Sequence, residues 1–403
     1  MKIMERSYKS WLMPPATVAL AFAGTLTMVL APAPVLQAQT FSLLHQFKAG
    51  PLGDSPWAGP VLDSMGNLFG TAFTDGAHFG GTVYKLSTAG KLTALYNFTG
   101  LKGDGQDPYY GSLLGDSRGN FYGSTIGGGV HDQFCTLGCG TVYKVGLSGK
   151  ETVLHAFTNT GEDGNNPNAG VVQDSSGNVY GTTISGGTFQ SGIVFKVTPG
   201  GKETVFYSFT GGNDGGIPQA GLVVDSEGNL YGTTGAGGAG FSGTVFKLDP
   251  SGVETVLYAF TGATDGGYPA AGVILDSAGN LYGTTQFGGA YGFGTVFEVS
   301  PSGTETVLYS FTGGADGSHP QFANLVRDQA GNLYGTTPEG GAHHVGVVFN
   351  VDTNGVETVL HTFHHFDGSW PGGTLALDSK GNLYGTTFYG GAYGGGVIFK
   401  IAP

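Results

Sequence analysis

Charge is what this 403-residue chain has least of: charged side chains are 11% of it, against about 25% in an ordinary soluble domain. Basic charge is scarcer still, with 16 Lys and Arg against 29 Asp and Glu and a formal net charge of −13. That balance excludes nucleic-acid binding, which needs a basic face to meet the phosphate backbone. The scarcity of Lys, Arg, Glu and Ala also leaves little material for surface helices. Beyond residue 38 no apolar run approaches the ~20 residues that a membrane span requires. The chain has no Gly-x-Ser-x-Gly elbow, no phosphate-binding loop and no His-Glu-x-x-His helix, so the common motif-bearing hydrolases and nucleotide enzymes are not indicated. Glycine, by contrast, is abundant at 77 residues, beside 18 prolines, without the three-residue period of collagen. With aromatics at 12% and hydrophobics at 39%, the chain is able to bury a core, and an all-β fold is expected.

Residues 1–38 read as a secretory signal peptide. Lys2, Arg6 and Lys9 make a basic start, and Ala16–Leu30 is an apolar stretch of suitable length. Cleavage is expected near Ala38, which places the protein in a periplasm or outside the cell. Removal of the segment leaves 13 basic and 28 acidic residues, a net charge of −15. No stable membrane span is then expected.

One unit recurs through residues 41–403. Its clearest piece runs Asp225-Ser226-Glu227-Gly228-Asn229-Leu230-Tyr231-Gly232-Thr233-Thr234, and the Asn returns at 67, 120, 178, 229, 280, 332 and 382. Spacings of 50 to 58 residues signal a solenoid or a propeller. Each unit has four strand-like runs, here 221–225, 229–234, 243–248 and 254–260, separated by Asp-Ser-x-Gly and Pro-Ser-Gly turns. Four short antiparallel strands per unit make one propeller blade. Phe41–Phe47 matches the fourth strand, whereas Gly396–Ile401 ends the chain on a third strand. The first strand is therefore predicted to complete the last of seven blades and so remove an open sheet edge.

These residues resemble known repeats. Pro218, Gly221-Leu222-Val223, Asp225 and Gly228-Asn229-Leu230-Tyr231 look like an NHL-type propeller repeat. With Gly243-Thr244-Val245-Phe246-Lys247 and Glu254–Phe260 added, the string is similar to the tandem repeats called GloVer. That resemblance implies exported proteins with varied carboxyl-terminal anchors and no defined activity; no hydrophobic tail follows the last repeat in this sequence.

Residues present in every blade serve the blade, so chemistry at one site is sought among residues that break the pattern. The fourth-strand position held by His45, Tyr96, His155, Tyr207, Tyr258, Tyr309 and His361 counts as scaffold, as do the prolines ahead of each first strand. The recurrent Asp54, Asp104, Asp163, Asp214, Asp265, Asp316 and Asp367 read as turn residues, with a ring of calcium ligands as the competing reading. Pattern breakers gather near the ring closure, in loops that alternating strand direction puts on one face. They are Trp57, Phe79, His343, His344, His364, His365, Phe366, Trp370, Tyr389 and Tyr393. Exposed aromatic rings beside polar groups suit stacking on sugars, so these ten are the expected ligand-binding residues; the competing reading is that the aromatics simply cover the blade ends and the histidines are incidental. A metal on the four histidines is not expected, because adjacent histidines in loops rarely point the same way. No cofactor and no catalytic residue is assigned. Cys135 and Cys139, the only cysteines, are expected to form a disulfide in an exported chain.

The sequence thus reads as a monomeric, exported, non-catalytic binding propeller whose ligand is a glycan or another extracellular polymer. The alternatives are a polysaccharide lyase or glycoside hydrolase on the same scaffold, or an adhesive protein of the cell surface.

Overall fold

The computed structural model describes residues 39–403 apart from 132, 134 and 159; the signal segment and its cleavage lie outside the described residues. Seven four-stranded antiparallel sheets follow one another as the blades of a propeller. In the fourth blade the strands are Val223–Val224, Leu230–Thr234, Thr244–Leu248 and Glu254–Ala259. The seventh blade takes its outer strand from the other end of the chain: Thr40–Gln46 pairs antiparallel with Val397–Ala402. The ring therefore closes as the unequal ends of the repeat require.

The innermost strand is shorter than its sequence suggests, with two paired residues in every blade. Ahead of it, the lead-in segments of seven blades converge on the axis and touch backbone to backbone. A Cβ on Gly59 would sit 1.6 Å from the carbonyl oxygen of Thr374, and one on Gly272 would sit 2.5 Å from that of Gly221. Only glycine permits that approach.

The Asp-x-x-Gly-Asn turn is built by its own side chains. Asp225 Oδ1 accepts from the backbone N–H groups of Glu227 and Asn229, while Oδ2 accepts from Asn229 Nδ2 at 2.7 Å and from the Tyr231 hydroxyl at 3.0 Å. Burial works to raise the Asp225 pKa, but these hydrogen bonds outweigh it and hold the carboxyl below its usual range.

The core lies between blades. A fully buried aromatic at the end of each outer strand meets the third strand of the next blade: Phe209 on Phe246, Phe260 on Phe297 and Phe311 on Phe349, each with ring centroids 5.1 Å apart. Phe47 on Tyr84, at 5.4 Å, makes the same contact across the closure.

The outer rim has a joint of its own. The Tyr207, Tyr258 and Tyr309 hydroxyls donate to Asp214, Asp265 and Asp316 at 2.9–3.1 Å. The next blade adds a glutamate beside each aspartate, and Glu151, Glu254, Glu305 and Glu357 each bury one oxygen without a hydrogen-bond partner. The aspartates are turn residues: Asp265, for instance, accepts from the N–H and the hydroxyl of Thr261.

Candidate functional site

The residue before each recurrent proline adopts the left-handed conformation. These are Ser55, Asp107, Asn166, Ile217, Tyr268, His319 and Trp370, with φ between 54° and 59°. Such a conformation costs a non-glycine residue about 1 kcal/mol or more and persists only where the surroundings impose it. Here a backbone clamp does so. The Asp107 N–H donates to Gly80 of the preceding blade at 2.9 Å, and its carbonyl accepts from Ile126 of its own blade at 3.2 Å. The same pair of bonds recurs at Ser55, Asn166, Ile217, Tyr268 and Trp370. At His319 the second bond is missing because Pro338 has no N–H, and the imidazole instead lies 3.1 Å from Glu339 Oε2.

The clamp is common to all blades, yet the seven side chains it displays are all different. Sequence reading passed over this set as a whole. The signal was available: seven X-Pro pairs at fixed places, with no two X alike. A rigid backbone presenting seven unlike side chains around one face is how a scaffold separates structure from specificity.

Asp107 is the carboxyl in this ring with altered acidity. Burial pushes its pKa up to about 6, opposed by a hydrogen bond with the Gln106 side chain. The lead-in that follows it, Pro108-Tyr109-Tyr110, is the most aromatic of the seven. The Tyr110 hydroxyl donates to the Tyr109 hydroxyl at 2.9 Å, which leaves the Tyr109 proton free for a ligand. Tyr110 stacks on Phe322 at 3.9 Å, and the two line an axial cavity of about 170 Å³ together with Ser112, Gln219, Asn324 and Thr374. Gln219 is 7% exposed, and its amide nitrogen has no hydrogen-bond partner.

The ten residues expected to bind ligand fall into separate places. His365, Phe366, Trp370 and Tyr389 line one open groove of about 450 Å³. His343 lies 6.0 Å from the His364 ring, and His364 and His361 both approach Asp367, at 3.2 and 3.1 Å. His344 is exposed at a φ of 58°, Phe79 is exposed, and Tyr393 receives Lys48 over its ring. Trp57 corrects the expectation of an exposed stacking surface. It is 8% exposed, packed between Phe388 at 4.0 Å and Tyr109 and Tyr110 at 5.0 and 4.8 Å. Seven lead-ins converge at the axis, and the large rings there satisfy one another. Cys135 and Cys139 form a disulfide.

The chain belongs to the Gloeobacter/Verrucomicrobia repeat family, whose profile matches residues 33–223, 132–330 and 314–403. No curated protein matches it. Among solved structures it is similar to a gluconolactonase from Xanthomonas campestris, at 14% identity over 91% of this chain and 90% of that one, with a TM-score of 0.46. A luciferin-regenerating enzyme is 11% identical over 91% and 95%, with a TM-score of 0.44. A putative oxidoreductase (glucose dehydrogenase) from Thermus thermophilus is 15% identical over 90% and 99%, also with a TM-score of 0.44. All three bear enzyme names, at odds with the expectation of a binding propeller without chemistry, but at such identity and TM-scores the likeness decides no activity for this chain.

Proposed function

We propose that this member of the Gloeobacter/Verrucomicrobia repeat family is a hydrolase of small esters or lactones, with Asp107 as the general base. The observation that carries the reading is a half-buried carboxyl whose pKa is raised to about 6, clamped in the left-handed conformation on the loop-bearing face. A base poised near neutrality is what activation of water demands. Tyr109 supports the reading from the other side of the reaction: its free hydroxyl proton suits the oxygen that becomes negative when water adds to a carbonyl. The deprotonated form of Asp107 does the work, so turnover rises as the pH passes through about 6.

The test is a panel of small esters and lactones assayed between pH 4 and 9. Asp107→Asn lowers kcat/KM by about 100-fold or more and removes the inflection near pH 6. Tyr109→Phe lowers kcat by about 10- to 100-fold. Absence of turnover across the panel, or an unchanged Asp107→Asn variant, overturns the assignment.

We propose further that the reaction takes place outside the cytoplasm. The basic, then apolar, character of residues 1–38 and the Cys135–Cys139 disulfide support this. Mass analysis of the chain recovered from cell fractions tests it: an uncut chain in the cytoplasm refutes export.

A further inference from the structure

Tyrosine and histidine share the rim joints, and the difference matters at one of them. Histidine replaces tyrosine at positions 45, 155 and 361. At His361 the neighbouring outer strand offers Phe41 where other blades offer glutamate, and the two rings stack at 3.7 Å. At His45 the strand that follows begins with Leu92, which is paired with Leu86 as Glu254 is with Leu248. Among the described residues, only His155 meets both carboxylates, Asp163 and Glu203.

The ligand atoms of His155, Asp163 and Glu203 all lie within 4.8 Å of one another, and each residue is half-buried. His155 Nε2 is 3.4 Å from Asp163 Oδ1, a long and weak contact for a hydrogen bond but a natural one for two groups flanking an ion. Glu203 Oε1 is buried with no hydrogen-bond donor in reach. Asp163 is oriented by its own shell: Oδ2 accepts from the Thr158 N–H and hydroxyl, both at 2.9 Å, and Oδ1 accepts from the Gly164 N–H at 2.8 Å. At the tyrosine joints the third group is a hydroxyl already donating to aspartate, which offers a cation nothing comparable.

We propose that the joint between blades two and three binds a divalent first-row transition ion of the zinc class through His155 Nε2, Asp163 Oδ1 and a Glu203 oxygen. One imidazole nitrogen and two carboxylate oxygens suit such an ion, with water in the fourth position. The two negative charges of the carboxylates balance the ion, which relieves the cost of holding both at a half-buried joint. Since His155 lies on the outer strand of one blade, Asp163 on the connection into the next and Glu203 at the start of that next blade's outer strand, the ion staples two blades together. The site stands apart from Asp107 and does not depend on the reaction proposed there.

Titration of the chelator-treated full chain with Zn²⁺, followed by calorimetry and thermal unfolding, tests the site. Wild type takes one equivalent and its unfolding midpoint rises. His155→Tyr installs the residue that four other joints carry, so the blade is expected to keep its fold, checked by circular dichroism; it loses binding by 100-fold or more. Glu203→Gln weakens binding by about tenfold or more. A double variant, His364→Ala with His365→Ala, binds as wild type does. The proposal is overturned if wild type takes up no zinc, if His155→Tyr binds equally well, or if the His364/His365 variant is the one that loses the ion.

Discussion

Raising the pH should loosen this propeller at its outer rim. Burial, joined by the neighbouring Asp104, Asp214, Asp265 and Asp316 carboxylates, pushes Glu151, Glu254, Glu305 and Glu357 up from 4.5 to about 7. The folded chain thus holds these protons more tightly than the unfolded chain does. Their contribution to stability is complete below pH 4.5 and is lost as the pH rises through about 7. At about 1.36 kcal/mol for each tenfold step in proton activity, the upper bound is about 3.4 kcal/mol per carboxyl. Each glutamate is only half-buried, so solvent screening reduces this to about 1 kcal/mol, or about 4 kcal/mol over the four joints. The turn aspartates run the other way. Asp63, Asp116, Asp174, Asp225, Asp276, Asp328 and Asp378 are held below 3.8, so their contribution is complete above that value and fades only in stronger acid. Maximum stability should therefore fall near pH 4.5 to 5. The assay is thermal unfolding at pH 5 and pH 8 of wild type and of a variant carrying Glu→Gln at all four positions. The wild-type midpoint should drop by several degrees, and the variant should lose most of that drop. An equal midpoint at the two pH values in wild type, or an undiminished drop in the variant, would refute the reasoning.

Two further predictions concern closure and the axis. Phe47→Ala and Phe260→Ala remove fully buried rings from equivalent inter-blade contacts, so each should cost about 3 to 5 kcal/mol in denaturant unfolding; a cost below about 1 kcal/mol at Phe47 alone would mean that the leading strand is not zipped onto the last blade. Gly59→Ala forces a Cβ against the Thr374 carbonyl and should cost about 3 kcal/mol or more, whereas Gly200→Ala, which meets nothing nearer than 3.9 Å, should be close to neutral; similar stabilities for the two would show that the axis has room to give.

The blade, the count of seven and the join between the two ends were all legible in the residues. Their causes are local: Asp225 gathers its bonds from positions two, four and six residues ahead, so the turn is written wherever the motif is written. The mismatch between a leading fourth strand and a trailing third strand needs only a count. Self-similarity did the rest, since a unit that cannot cover its own apolar faces must stack on copies of itself.

The face that bears chemistry was less legible. Loop residues were assigned to one side of the ring, but exposure was inferred from residue type, and Trp57 proved to be packed under Phe388 and Tyr109. The acidity of Asp107 depends on burial in the folded ring, and its left-handed backbone depends on bonds to two loops. In the same way, His155 looks like Tyr207 until the next blade sets Glu203 beside it. Short-range bonds settle what a segment becomes, and these repeat with the motif. Burial, proton affinity and the grouping of ligands are set by which segments meet at the axis and at the joints, and that is a property of the closed ring, which no stretch of fifty residues contains.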